Sequence, residues 1–470
     1  MRAASILTKP PFNSTTITPT DAPHSMRGPD RYRPRQTAVP HAPYPPARGP
    51  RRTCRTMAEP LLRYHSTEST PLALLASQGA RHMEYRFSDK ALAFESEVNE
   101  FLDQEWTPDL RATIGDPTTD TMTEERGFRR LLADRGWLTM SWPAEYGGQE
   151  RSLEEQYLFW EAMNYVGAPQ ATVATQQVGP TLMRFGTEEQ QERFLPPIAR
   201  GEVEFALGYT EPDAGSDLAS LQLRAVKDGD DYILNGTKRF TSGAHRSEYV
   251  WLATRTDPNA PKHRGVSMML VDMQSPGITV KPLWTMAGYR TNEVYFQDVR
   301  VPTSVLVGEE NRGWYYAAHA LDRERISIFT VSSVRAVYDR LMDWATSETP
   351  MGRPIDDPGI KGTFAEFKVQ LEVLQHLSYR ILDMLKREES PNYEASQVKI
   401  FSTEMMQRLQ NFSLHAMGLY GQLNGNDDRA PIEGSAENGY LAAVMPTFGA
   451  GGNELQRNII AQRGFGLPRA

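Results

Sequence analysis

The hydrophobic period of this chain switches twice, and that double switch narrows the fold more than any other feature. From about Ser88 to Gly201 apolar residues recur every three or four positions, as in KALAFESEVNEFLDQEW and SLEEQYLFWEAMNYVG, which is helical spacing. From Glu204 to about Pro302 the period drops to two. LQLRAVKDGDDYILNGTKRFTSG reads as two strands around a turn at Asp228 to Asp231. YVWLATRT, GVSMMLVDM, ITVKPLW and NEVYFQDVRVP follow as short strands divided by Gly, Pro, Asn and Asp. Helical spacing returns after Glu309, in TFAEFKVQLEVLQHLSYRILDMLKRE, in ASQVKIFSTEMMQRLQNFSLHAM, and up to about Gly464. The expectation is an α+β protein whose central β-sandwich or barrel is flanked by two helical domains. The domains fall at 83–203, 204–306 and 307–470. No internal repeat is visible.

Local signals refine this. WPAEYGGQERS, with its Pro and paired Gly, is a loop ahead of a helix. FGTEEQQERFLPPIARG predicts a helix capped by Thr187 and stopped at Pro196–Pro197. In KRFTSG an aromatic residue stands two positions before a hydroxyl, and on a strand the two share a face.

Residues 1–82 differ from the remainder. Up to Ala58 the chain is rich in Pro, Arg, Ser and Thr, and its only acids are Asp21 and Asp30. Such a stretch buries too little apolar surface to fold. Two readings stand: an acid-poor presequence, which would send the protein to the mitochondrial matrix, or an overextended reading frame of a bacterial cytoplasmic protein starting at Met83. The second is favoured, because MEYRFSDKALAFESEVNEFL already reads as a protein start.

Bulk properties exclude several classes. The 470 residues carry a net charge of −8, which gives no electrostatic footprint for nucleic acid. The single cysteine, Cys54, excludes an intramolecular disulfide. PLALLA is far short of the roughly 18 apolar residues that span a bilayer. No Cys/His spacing suits zinc and no GxxxxGK[ST] is present, so no metal site is expected.

LDRERIS, Leu321 to Ser327, raises a chemical question. At about 100° per residue, Ala317, Leu321, Glu324, Ile328 and Val331 fall on one arc. A carboxylate on an apolar stripe is costly unless it is paired or functional. Pairing with Arg323 or Arg325 is the structural alternative; a general base is the functional one.

Two further stretches carry a resemblance. YTEPDAGSD, Tyr209 to Asp217, can turn sharply and present N–H groups and hydroxyls to an anion. NGTKRFTSGAH, Asn235 to His245, supplies the aromatic residue and the hydroxyl. With WPAEYGG and NELQRNII, these resemble the signatures of the acyl-CoA dehydrogenase family over essentially Met83 to Ala470. The resemblance implies a C-terminal four-helix bundle, FAD as cofactor, and α,β-desaturation of an acyl-CoA thioester to the trans-2-enoyl-CoA.

By resemblance, Thr210 would bond the polar rim of the isoalloxazine, with Leu207 and Tyr209 lining it, and Gly215 and Ser216 would meet the pyrophosphate. Phe240, Thr241 and Ser242 would line one flavin face and its N5 edge, where the family usually has Trp and Thr at the outer two positions. Gly418, Gly451 and Gly452 would complete the cofactor site; Ser216 and Arg325 would also touch substrate. Most of the family carries its base in a C-terminal Y-E-G-T segment. Here FGAGGNELQR occupies that place and Ala450 stands at the glutamate position. The branch resembling isovaleryl-CoA and long-chain acyl-CoA dehydrogenases, and bacterial fatty-acid or steroid side-chain enzymes, instead carries L-x-x-E-R on the helix after the β domain. LDRER matches it, which makes Glu324 the expected α-proton acceptor, with the β-hydride going to the flavin.

Some positions depart from the family pattern. Glu348 and Met351 stand where R-x-x-F-G is usual, Gly452 replaces a Thr and His415 a Gln. A carboxylate cannot neutralise a pyrophosphate. The expected partners are an acyl-CoA, branched or bulky, an electron-transfer flavoprotein, and copies of the chain in a homotetramer or homodimer. Two alternatives remain: a non-catalytic or cofactor-completing subunit of a hetero-oligomer, and an acyl-CoA oxidase.

Overall fold

A computed structural model describes residues 85–115, 121–170, 172–318, 331–349 and 352–468. Residues 1–82, Glu324, Arg325 and Met351 lie outside that set, so the readings placed on them are neither met nor refused by the structure.

The N-terminal region is built from α1 (Asp89–Glu105), α2 (Pro108–Gly115), α3 (Met122–Asp134), α4 (Leu153–Val166), α5 (Gly179–Phe185) and α6 (Glu188–Ala199). Phe94, Val98 and Phe101, spaced four and three apart on α1, are buried with Phe128 and Leu132 of α3 and Phe159 and Met163 of α4. Each such side chain contributes roughly 1.5–3 kcal/mol when fully buried. Ser152 and Thr187 open α4 and α6 with reciprocal capping boxes, so Thr187 caps as its position predicts.

The expected stop at Pro196–Pro197 is corrected. Helix α6 runs through both prolines to Ala199. Phe194, Leu195 and Ile198 are buried in the core shared with the β domain, and the carbonyls of Pro196 and Pro197 still accept from Arg200 and Glu202. Near a helix end, tertiary burial outweighs the lost donors of proline.

Eight strands follow: β1 (Phe205–Gly208), β2 (Arg224–Asp228), β3 (Asp231–Lys238), β4 (Tyr249–Arg255), β5 (Val266–Asp272), β6 (Ile278–Trp284), β7 (Arg290–Pro302) and β8 (Leu306–Val307). The order is β6-β7-β3-β2-β4-β5-β8, with β1 parallel to β4. Strands β2 and β3 form the expected hairpin, Asp228 opposite Asp231, with Gly229 at φ 64°. The two halves of the sheet join through the single pair Arg224–Arg255. Their inner faces meet: Ala225, Tyr232, Leu234, Phe296 and Val299 pack with Val250, Leu252, Met269 and Val271. The opposite face of the second half, Phe205, Trp251, Met268 and Leu270, packs on Val178, Leu182 and Phe194 of the helices. This is a sandwich with one outer face buried under helices.

The C-terminal region packs α7 (Ser332–Thr346), α8 (Pro358–Lys386) and α9 (Tyr393–Met417) around Val334, Leu341, Phe364, Leu371, Met405 and Leu409. The shorter α10 (Ser435–Ala442), α11 (Met445–Phe448) and α12 (Asn453–Ile459) close the chain, followed by a π-turn to Gly464. No described helix is long and apolar enough to cross a membrane, and no group of metal ligands occurs among the described residues.

Candidate functional site

The two β-domain motifs are brought together by a buried ion pair. Lys238, at the end of β3, is 0 % exposed; its ammonium donates to Glu211 Oε1 at 2.7 Å and to the Tyr209 carbonyl at 3.0 Å. Glu211 also accepts from Leu223 N at 2.9 Å and Gln222 N at 2.5 Å. Burial drives the Lys238 ammonium down to about 8, against the opposing pull of Glu211. The Arg239 amide donates to the Thr210 carbonyl at 2.8 Å. Tyr209 and Thr210 are therefore fixed beside Lys238 and Arg239, and the Phe240–Ser242 stretch follows directly.

That stretch does not continue the strand, which corrects the reading that placed Phe240 and Ser242 on one strand face. Strand β3 ends at Lys238. Phe240 takes φ 56°, and the Ser242 amide bonds the Phe240 carbonyl at 3.0 Å, closing a γ-turn. The reason lies in β7: Asn292 accepts the Thr241 amide on its carbonyl and donates its side chain to the Thr241 carbonyl, and Thr291 accepts from Ser242 Oγ at 3.1 Å. An aromatic residue in the left-handed region is strained. Phe240 is nevertheless 56 % exposed, so packing within the chain does not explain its conformation. The buried Thr241 Oγ1 has no hydrogen-bond partner among the described residues.

The other sequence-picked residues sit as follows. Leu207 is half-buried and Tyr209 buried in the core under the helices, where Tyr209 Oη accepts from Trp251 Nε1 at 3.1 Å and donates to Gln177 Oε1 at 3.4 Å. Gly215 and Ser216 lie on an exposed loop after the Glu211–Ala214 bridge, with open space where a Gly215 Cβ would stand. Gly418 ends α9 at φ 58°, exposed. Gly451 (φ 86°) and Gly452 precede α12 and belong to a separate cluster. There Lys399, buried, donates to Asn453 Oδ1 at 2.5 Å and to the Thr447 carbonyl at 3.1 Å. Ala450 takes φ 50° in the same loop. Glu348 is exposed.

A cavity of about 450 Å3 opens beside Ser242 and Gly243 and runs beneath α3 and α4. Its wall is mostly polar. Arg126, Arg129 and Arg246 face it, each ion-paired: Arg126 to Glu248 at 2.7 Å, Arg129 to Glu125 and Glu204 at 3.0 and 3.3 Å, and Arg246 to Glu125 at 3.1 Å. Burial pushes the Glu125 carboxyl up, but Arg246, the Thr121 hydroxyl and Arg129 outweigh it and hold it below its ordinary value. Burial wins at Glu204, which is raised. Asn164 and Gln170 also line the cavity, as do Gln176 and Gln177 of a π-turn at Ala174–Val178. Sequence reading missed all of these. The only signal was TQQVG, polar residues on a helical stretch otherwise buried.

The described residues on either side of Glu324 are anchored to the N-terminal helical region. Tyr316 and Ala317 are buried with Val178 and Leu182. The Val331 amide donates to Glu161 of α4 at 2.9 Å, and Ser332 Oγ bonds the same carboxylate.

The residues fit a flavin. An exposed, strained aromatic face, an unpaired buried hydroxyl and an open glycine turn suit a flat heterocycle with a polar rim and a phosphate tail. Three family profiles match in series: "Acyl-CoA dehydrogenase, N-terminal domain" over residues 88–202, "middle domain" over 206–299 and "C-terminal domain" over 311–465. The acyl-CoA dehydrogenase FadE26 of Mycobacterium tuberculosis is 38 % identical over 354 residues, 73 % of this chain and 88 % of that one. Among solved structures, the Tcur3481-Tcur3483 steroid ACAD is 34 % identical, with TM-score 0.77, covering 83 % of this chain and all 100 % of its own. The ChsE4-ChsE5 complex from Mycobacterium tuberculosis is 35 % identical, with TM-score 0.75 and coverage of 83 % and 100 %.

Proposed function

Because the chain belongs to the acyl-CoA dehydrogenase family, we propose that it binds FAD at the Phe240–Ser242 turn and desaturates a bulky or branched acyl-CoA. The observation that carries this is Phe240, exposed and strained two residues before Ser242, which lines a cavity large enough for a sizeable acyl group. When bound, FAD supplies the hydride acceptor for the β carbon.

The chain's residues do the remaining work. Glu324 removes the α proton; a carboxylate on an apolar stripe is raised toward the working range and so is a stronger base. Support comes from the described residues on either side of Glu324: Ala317 is buried with Val178 and Leu182, and the Val331 amide donates to Glu161 of α4. Thr210 and the Thr241 hydroxyl would bond the flavin rim, Ser242 would line its N5 edge, and Gly215 and Ser216 would offer the turn for its pyrophosphate. Gly418, Gly451 and Gly452 contribute from the helical region, and Arg325 and Ser216 assist substrate. The electrons pass to an electron-transfer flavoprotein.

A second reading concerns assembly. Exposed Glu348 stands where a pyrophosphate-binding Arg is usual. A structural neighbour is described as a complex of two named chains. A different chain that supplies the missing cation is thus favoured over a homo-oligomer, and it would also cover exposed Leu419, Phe448 and Phe465.

The test is an anaerobic spectral titration of wild type beside Glu324→Gln. Bleaching of the wild type by acyl-CoA, with the variant staying oxidised, supports the assignment; equal bleaching of both refutes Glu324 as base. Colourless protein that gains flavin only when co-expressed with a second dehydrogenase chain favours the two-chain assembly.

A further inference from the structure

The segment that carries Ser242 is held by two separate elements. Between the end of β3 at Lys238 and the start of β4 at Tyr249 the chain forms no strand and folds through successive turns. The Ala244 amide donates to the Thr241 carbonyl at 3.3 Å, and the Gly243 carbonyl accepts the Arg246 and Ser247 amides at 2.9 and 3.0 Å. Ser242 and Arg246 thus belong to one compact unit. Strand β7 holds Thr241, Ser242 and His245 in it.

Helix α3 holds Arg246. The Arg246 guanidinium donates to both oxygens of Glu125, at 3.1 and 3.2 Å, a fork-to-fork geometry that fixes direction as well as distance. The next residue on the helix, Arg126, donates to the Arg246 carbonyl at 3.0 Å. Glu125 is itself locked by the Thr121 hydroxyl at 2.8 Å and by Arg129 at 3.0 Å. Arg126 also pairs with Glu248, whose other oxygen accepts the Glu204 amide at 2.9 Å, so the starts of β1 and β4 are tied to the same helix.

Desolvation offsets much of what such partly buried pairs add to stability, whereas their directionality is kept. Phe240, strained and exposed, persists in its conformation only where its surroundings over-determine it. Resting on the proposed flavin site, we infer that Glu125 and Arg246 are positioning residues for the cofactor: with Arg126 they clamp the Phe240–Ser247 segment onto α3 and so fix where Ser242 presents its hydroxyl. They act through Ser242 and touch neither flavin nor substrate.

The experiment uses the full chain loaded with FAD, co-expressed with a second dehydrogenase chain where it loads only in that company. Stepwise dilution gives the FAD dissociation constant from the fluorescence of released flavin. Anaerobic mixing with cyclohexylpropionyl-CoA gives the bleaching rate. Glu125→Gln and Arg246→Met should each weaken FAD binding and slow bleaching by about tenfold. Arg246→Lys, which keeps the charge, should recover most of the loss. Adding Ser242→Ala to either single variant should cost less than the two separate losses combined, which a merely structural pair would not show. Should Glu125→Gln fail to fold, the Arg246 variants decide. Wild-type affinity and rate in the single variants, or losses that combine in full with Ser242→Ala, overturn the inference and leave the dehydrogenase reading intact. Flavin-loaded wild type that no acyl-CoA bleaches overturns that reading alone, and FAD affinity then still decides the inference. A chain that takes up no FAD in either setting overturns both.

Discussion

Replacing Lys238 by Met tests how the two β-domain motifs are held. The ammonium is fully buried and bonds Glu211 and the Tyr209 carbonyl. Removing one member of a buried pair leaves the other charge uncompensated, at roughly 3–5 kcal/mol. Glu211 keeps two backbone donors, Gln222 N and Leu223 N, so the low end, about 3 kcal/mol, is expected. Urea unfolding of wild type, Lys238→Met, Glu211→Gln and the double variant measures this. The coupling between the two sites should be about 1–3 kcal/mol. Because Lys238 also fixes Tyr209 against the Phe240 turn, flavin occupancy should drop in the single variant under conditions where it remains folded. A loss below about 1 kcal/mol with full occupancy would refute the view that this pair organises the site.

Other perturbations address the scaffold. Thr187→Ala removes the α6 capping box and should cost about 1 kcal/mol in unfolding free energy. Gly179→Ala places a methyl group into the buried Trp142 ring, and a lower melting temperature corresponding to roughly 1–3 kcal/mol is expected. Glu155 is opposed by burial, but its bonds from Ser152, Arg151 and Lys90 hold it down at about 2, below the ordinary 4.5. A depressed carboxyl stabilises the fold above its unfolded value. That share is lost as pH falls from about 4.5 through about 2, so the gap in melting temperature between wild type and Glu155→Gln should shrink over that window.

The architecture was legible because hydrophobic period reports burial directly: the runs read as strands are β2 to β7, and the turn at Asp228–Asp231 closes the hairpin as expected. Legibility failed where distant residues override local preference. The prolines of α6 stay helical because Phe194 and Ile198 are buried against the sandwich. Phe240 leaves the strand because Thr291 and Asn292 of β7, some fifty positions on, capture Thr241 and Ser242. The site divides the same way. Tyr209, Thr210 and the Phe240 turn came from contiguous motifs. The polar cavity could not, since Arg246 meets Glu125 across 121 positions and Arg129 meets Glu204 across 75. Nothing local in the sequence marks such pairs.

The measurement that bears most directly on the central claim is an anaerobic incubation of the flavin-loaded protein with a bulky acyl-CoA, following flavin absorbance and the mass of the thioester together. The account predicts bleaching of the flavin and recovery of a thioester lighter by two hydrogens, unsaturated between the α and β carbons. Flavin that stays oxidised while the thioester is bound and returned unchanged would contradict it.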